Sequence, residues 1–123
     1  MILLVEDEAS LRDIVASVLE DEGFEVFPAV DGQDALNLLA NQRPSLIITD
    51  AMMPRMDGRE LVGVIRSSAE WSSIPVVMVS AVVMPGMDIL GIDAFISKPF
   101  DFDLLLRTIR DILDGPARST ISN

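Results

Sequence analysis

The chain has 123 residues, no cysteine, no histidine and a formal net charge of −11. That length fits one domain of ordinary size, and a hydrophobic half of the residues is enough to fill its core. The missing residue types exclude disulfides, thiolate or imidazole metal sites and Cys/His or Ser/His catalytic pairs within the chain, and the acidity opposes nucleic acid and anionic membranes as partners.

Leu3-Leu4-Val5 is a first apolar run, and it stops at Glu6-Asp7. A start that lacks a basic region and turns acidic at once is not a signal peptide, so a soluble cytoplasmic protein is expected. Leu11, Ile14, Val15, Val18 and Leu19 then recur at helical spacing, with Ser10 as the predicted cap and Gly23 as the stop. Phe24-Glu25-Val26-Phe27 alternates as a strand. Asp31-Gly32 opens a second helix carrying Ala35, Leu38 and Leu39, and Leu46-Ile47-Ile48-Thr49 runs into Asp50. After a loop with Pro54 and Gly58, a third helix turns Leu61, Val64 and Ile65 inward. Val76-Val77-Met78-Val79 runs into Ser80, and the strongly apolar stretch 76–84 is far too short to span a membrane. Pro85-Gly86 and Gly91 leave room for only a short helix at 87–90. Ala94-Phe95-Ile96-Ser97 runs into Lys98, the only lysine. A last helix starts near Asp101, stripes Phe102, Leu105, Leu106, Ile109, Ile112 and Leu113, and closes at Gly115-Pro116. Residues 1–115 read as one domain and 116–123 as a flexible tail.

Five strands alternating with helices predict βαβ units, right-handed crossovers and a parallel sheet in a doubly wound α/β fold. Runs that are apolar throughout suit a sheet covered on both faces. Ligands in such sheets bind outside the carboxyl ends of the strands, where Glu6, Asp7, Asp50, Ser80 and Lys98 would meet. Carboxylates packed together need a proton or a cation, and with only oxygen ligands a hard divalent ion such as Mg²⁺ fits. An Asp at a strand end can also act as a nucleophile toward a phosphoryl group. Glu6, Asp7 and Asp50 would hold the ion, Lys98 would pair with one phosphoryl oxygen, and Ser80 could donate to another.

Val5-Glu6-Asp7-Glu8, Thr49-Asp50, Met52-Met53-Pro54-Arg55-Met56-Asp57-Gly58, Ser80-Ala81 and Lys98-Pro99-Phe100 together carry a family resemblance. Over essentially its whole length the chain resembles a bacterial two-component response-regulator receiver domain of the chemotaxis-regulator type. The resemblance implies a flavodoxin-like (βα)5 three-layer sandwich with strand order 2-1-3-4-5 and, here, a short or irregular fourth helix. It implies Asp50 as phosphoacceptor in a Mg²⁺-dependent reaction, with Mn²⁺ as a substitute ion. Glu6, Asp7 and the Met52 backbone carbonyl would be further metal ligands, Ser80 the switch hydroxyl, Lys98 the phosphoryl-binding cation and Phe95 the switching aromatic. The implied phosphodonor is a histidine kinase or a histidine phosphotransfer protein. The implied output is a protein target on the face of the fourth helix, fifth strand and fifth helix, with a homodimer on phosphorylation left open.

Two features depart from many relatives. Met52 and Val82, each two residues past a site residue, are apolar and offer no hydrogen bond to a hydrolytic water, which predicts slow autodephosphorylation. The segment from Ser80 to Lys98 is a few residues short, which predicts a short, irregular or mobile fourth helix and a partner surface that is unusual or ordered only on phosphorylation. The alternatives are a degenerate receiver serving as a binding module, or an aspartate-nucleophile phosphatase or phosphotransferase. Met52 stands where the haloacid-dehalogenase type has its second Asp, which argues against turnover of external substrates. No output domain is expected after the last helix, in keeping with a stand-alone regulator, a relay intermediate or a receiver cut from a longer protein.

Overall fold

The computed structural model describes residues 1–81 and 91–122, with side chains through residue 114. Val82 and the predicted short helix at 87–90 lie outside the described residues. The strands are β1 (Ile2–Val5), β2 (Val26–Ala29), β3 (Leu46–Asp50), β4 (Val76–Ser80) and β5 (Ala94–Ser97). The helices among the described residues are α1 (Ala9–Asp21), α2 (Gly32–Leu39), α3 (Gly58–Ser67) and α4 (Phe102–Ser122). All strand pairs are parallel, in the order β2-β1-β3-β4-β5. This is the doubly wound parallel fold that the strand and helix pattern predicts, in the flavodoxin-like strand order that the resemblance implies.

Every residue of β1, β3 and β4 is buried, because helices cover both faces of the sheet. Alternate residues of each strand feed opposite cores. Leu3, Val5, Ile47, Val76 and Met78 pack with Ala35 and Leu39 of α2 and with Leu61, Val62 and Ile65 of α3. Ile2, Leu4, Ile48, Val77 and Val79 pack with Val15 and Leu19 of α1 and with Leu105 and Ile109 of α4. Truncating a fully buried member such as Ile47 to alanine would cost about 2–5 kcal/mol.

Local chemistry sets the element ends and corrects several expectations. The residue capping α1 is Glu8, not Ser10, and it makes no side-chain cap bond. At the other end Gly23 takes φ +94, its N–H donates to Glu20 O, and the Phe24 N–H donates to Leu19 O. That paired closure uses up Phe24, so β2 begins at Val26 rather than at residue 24. Pro28 is accommodated because β2 is an edge strand and forfeits no ladder partner on its outer side. Val64, predicted to face inward, and Ile14, which shares the apolar spacing of its helix, are exposed. They flank the buried stripes, which α1 fills with Val15 and Leu19 and α3 with Leu61, Val62 and Ile65. The last helix continues through Gly115-Pro116 to Ser122 instead of closing there. Proline lacks an N–H, but its fixed φ is helical, so one backbone bond is lost and the turn persists.

Candidate phosphorylation site

The strand order reverses between β1 and β3, and the crevice beyond their carboxyl ends is the binding position of such folds. Register brings the candidate residues there. Val5 pairs with Thr49, Asp50 with Val79, and Ser80 with Ser97, so Glu6-Asp7, Asp50, Ser80 and Lys98 line one rim. Glu6, Asp50 and Ser80 are buried, Lys98 is half-buried and Asp7 is exposed.

Lys98 Nζ donates to Asp50 Oδ2 at 2.5 Å and to Glu6 Oε1 at 3.0 Å. Backbone groups hold the other carboxylate oxygens. The Met52 N–H donates to Asp50 Oδ1 at 3.1 Å, and the Glu8 N–H donates to Glu6 Oε2 at 3.2 Å. From α1, Arg12 Nη1 donates to the Glu6 carbonyl at 2.8 Å, which fixes the turn that carries the acidic pair. Burial pushes the Glu6 carboxyl above its usual value, and the Glu8 and Lys98 bonds offset this only in part. Burial acts downward on the Lys98 ammonium, but its bonds to Asp50 and Glu6 prevail and hold it above the ordinary lysine value.

One oxygen from each of Glu6, Asp7 and Asp50 lies within 4.8 Å of the others. Three carboxylates facing one ammonium leave two negative charges, the amount that one divalent ion cancels. Hard oxygen donors in that number fit Mg²⁺. Phe95 of β5 pairs in register with Met78 and is half-buried against the core under α2 and α3. The Met52 side chain points into solvent at 56 % exposure. Beside Lys98 an apolar cavity of about 320 Å³ is lined by Leu11, Ala81, Lys98, Pro99, Phe100 and Phe102.

Sequence reasoning missed the contact between Asp31 and Arg55. Arg55 Nε donates to Asp31 Oδ2 at 2.6 Å, and its Nη2 reaches the same oxygen. Asp31-Gly32 signalled a helix start, but nothing in the pattern pointed across to Arg55.

An aspartate at the switch point of a 2-1-3-4-5 sheet, with two further acidic groups and one lysine around it, makes this a doubly wound α/β domain with an acidic pocket at its binding position. Residues 2–110 match the response regulator receiver domain model, and the chain belongs to that family. It is 41% identical to the response regulator Rre1 of Synechocystis sp. over 117 residues, which is 91% of this chain and 51% of that protein. The chain thus spans about half the length of Rre1 and of the probable transcriptional regulator ycf27 of Porphyridium aerugineum. Among solved structures, the receiver domain of a signal transduction histidine kinase from Syntrophus aciditrophicus superposes with a TM-score of 0.87 at 30% identity, covering 93% of this chain and 89% of that one. The response regulator TrrA of Thermotoga maritima, in complex with Mg²⁺-BeF, gives 0.81 at 28% identity, covering 89% and 96%. A receiver domain is a signalling module switched by phosphorylation. No described helix is long and apolar enough to cross a membrane.

Proposed function

We propose that Asp50 accepts a phosphoryl group and that the acylphosphate biases the domain toward a different partner-binding surface. The observation that carries this reading is the Lys98 ammonium held on Asp50 Oδ2 beside two further carboxylates at the switch point. Asp50 attacks the phosphorus of a phosphohistidine on a histidine kinase or phosphotransfer protein. The P–N bond breaks, and its electron pair stays on the imidazole, which takes up a proton. Lys98 turns from the carboxylate to a transferred phosphoryl oxygen. Glu6, Asp7, Asp50 and the Met52 carbonyl would hold Mg²⁺, which neutralises phosphoryl charge in such transfers.

The bound phosphoryl group pulls the Ser80 hydroxyl inward and vacates space near the Phe95 ring, which selects one of two pre-existing states. The face of β5 and α4 serves the downstream target. The test is intact mass after incubation with Mg²⁺ and acetyl phosphate. One phosphoryl adduct on the parent and none on Asp50→Asn supports the reading. An adduct that survives Asp50→Asn, or none on the parent, overturns it.

A further inference from the structure

The loop from Ala51 to Asp57 connects the acceptor strand to α3, and its Met52 amide bonds the acceptor carboxylate. At one end Gly58 locks it, since the Gly58 N–H donates to Ala51 O at 3.0 Å. Its middle is tied to a different element, the N-terminus of α2. There the Gly32 N–H donates to Met56 O at 3.1 Å, and a Cβ on Gly32 would stand 2.6 Å from Met56 Cγ. One residue earlier, Arg55 adopts φ +64, a conformation that side-chain-bearing residues avoid. Its guanidinium is mostly exposed, yet two of its nitrogens reach one oxygen of Asp31, whose side chain is only 3% exposed. The other Asp31 oxygen caps α2 by accepting the Asp34 N–H at 2.9 Å. The Asp34 amide and the Arg55 guanidinium hold this carboxyl below its usual range despite burial.

We propose that Arg55 is a positioning residue: its clamp on Asp31 moors the loop to α2 and fixes the Met52 backbone beside Asp50, where the metal and the phosphoryl group bind. This rests on the reading of Asp50 as phosphoacceptor. A strained backbone kept by a fork onto a buried acid is the arrangement expected when loop placement, not stability, is the gain. Groups that orient metal ligands from outside the coordination sphere typically change metal affinity by about 10–100-fold when removed.

Arg55→Gly separates placement from stability, because glycine tolerates the positive φ while losing the clamp. On the full chain, calorimetric titration should show the Mg²⁺ dissociation constant rising about tenfold. Thermal unfolding without metal should stay level or improve. Amide exchange in residues 51–57 should quicken in the metal-free protein. Asp31→Asn, which keeps an acceptor for the Asp34 amide, should reproduce the loss, and the double variant should add nothing. Parental Mg²⁺ affinity together with parental exchange in Arg55→Gly overturns the clamp, as does full additivity of the two substitutions. A parent that takes no phosphoryl group on Asp50 sinks the functional reading instead, and the exchange measurement still decides the mooring.

Discussion

Lys98 and Asp50 stand 48 residues apart in sequence, and Lys98 Nζ lies 2.5 Å from Asp50 Oδ2. The contact follows from sheet register, since Ser97 pairs with Ser80 on β4 and Asp50 pairs with Val79 on the same strand. The same ammonium reaches Glu6, so one cation serves two buried carboxylates while Asp7 waits at the rim.

That charge imbalance predicts the behaviour of Asp7→Asn. Without metal, Asp7 repels Glu6 and Asp50 across a few ångströms of partly solvated space, a cost of about 1 kcal/mol. The variant should therefore be more stable than the parent by about that amount in urea unfolding with a chelator. Added Mg²⁺ stabilises whatever binds it, by about 2.7 kcal/mol at one hundred times the dissociation constant. The parent should show that gain and Asp7→Asn should lose most of it. A variant that is no more stable in chelator, or that keeps the full Mg²⁺ gain, would remove Asp7 from the site.

Met52→Asn should shorten the life of the aspartyl phosphate. The exposed thioether of Met52 lies two residues from Asp50 and offers an incoming water nothing stronger than a weak acceptor. An amide there can hydrogen-bond that water as it attacks phosphorus. One such bond is worth about 1 kcal/mol in the transition state, or about fivefold in rate. Decay of the phosphoprotein after removal of acetyl phosphate measures it, and unchanged decay would exclude side-chain control at this position.

The strands and their polar ends were legible because a sheet buried on both faces writes each central strand as an unbroken apolar run. Glu6, Asp50 and Ser80 each mark the end of such a run, and Lys98 marks the end of the partly buried edge strand β5. Helix faces were less legible. Apolar spacing includes the flanks of a stripe, so Ile14 and Val64 match the period while sitting beyond the buried arc. The start of β2 depended on how Gly23 and Phe24 closed α1, which is a backbone event with no periodic signature. The Asp31–Arg55 clamp was invisible for a related reason. It joins two loops across 24 residues and is made by an Arg55 in a left-handed φ that spacing does not announce.

Two glycines of α3 should respond to alanine with opposite signs. A Cβ on Gly58 would stand 2.2 Å from the Asp50 carbonyl oxygen and 2.9 Å from Ala51 Cα, both backbone atoms that cannot swing aside. Gly58→Ala should cost about 3 kcal/mol, at the upper end for overpacking, and should displace the end of β3 at Asp50. Gly63 lies in the interior of the same helix, where an added Cβ would meet nothing within 4 Å, so Gly63→Ala should stabilise by about 0.5–1 kcal/mol. Urea midpoints of the two variants decide the matter. A tolerated Gly58→Ala would mean that α3 does not begin against Asp50.

Acid sensitivity should expose the buried end of the Arg55 clamp. The Asp31 carboxyl sits below its usual value because the Asp34 amide and the Arg55 guanidinium both favour the ionised form. A group depressed in the folded state contributes stability above its unfolded value of about 3.9 and loses it as pH falls through the folded value. In that window the unfolded chain binds the extra proton, so stability climbs with pH. Asp31→Asn carries no such proton. Near neutrality the parent should therefore melt at the higher temperature, and the difference should shrink on acidification from about pH 5 downward. The other carboxylates titrate in both proteins, so the difference between the two melting curves isolates Asp31. Curves that stay parallel across that range would mean that neither the Asp34 amide nor the clamp favours the charged carboxylate.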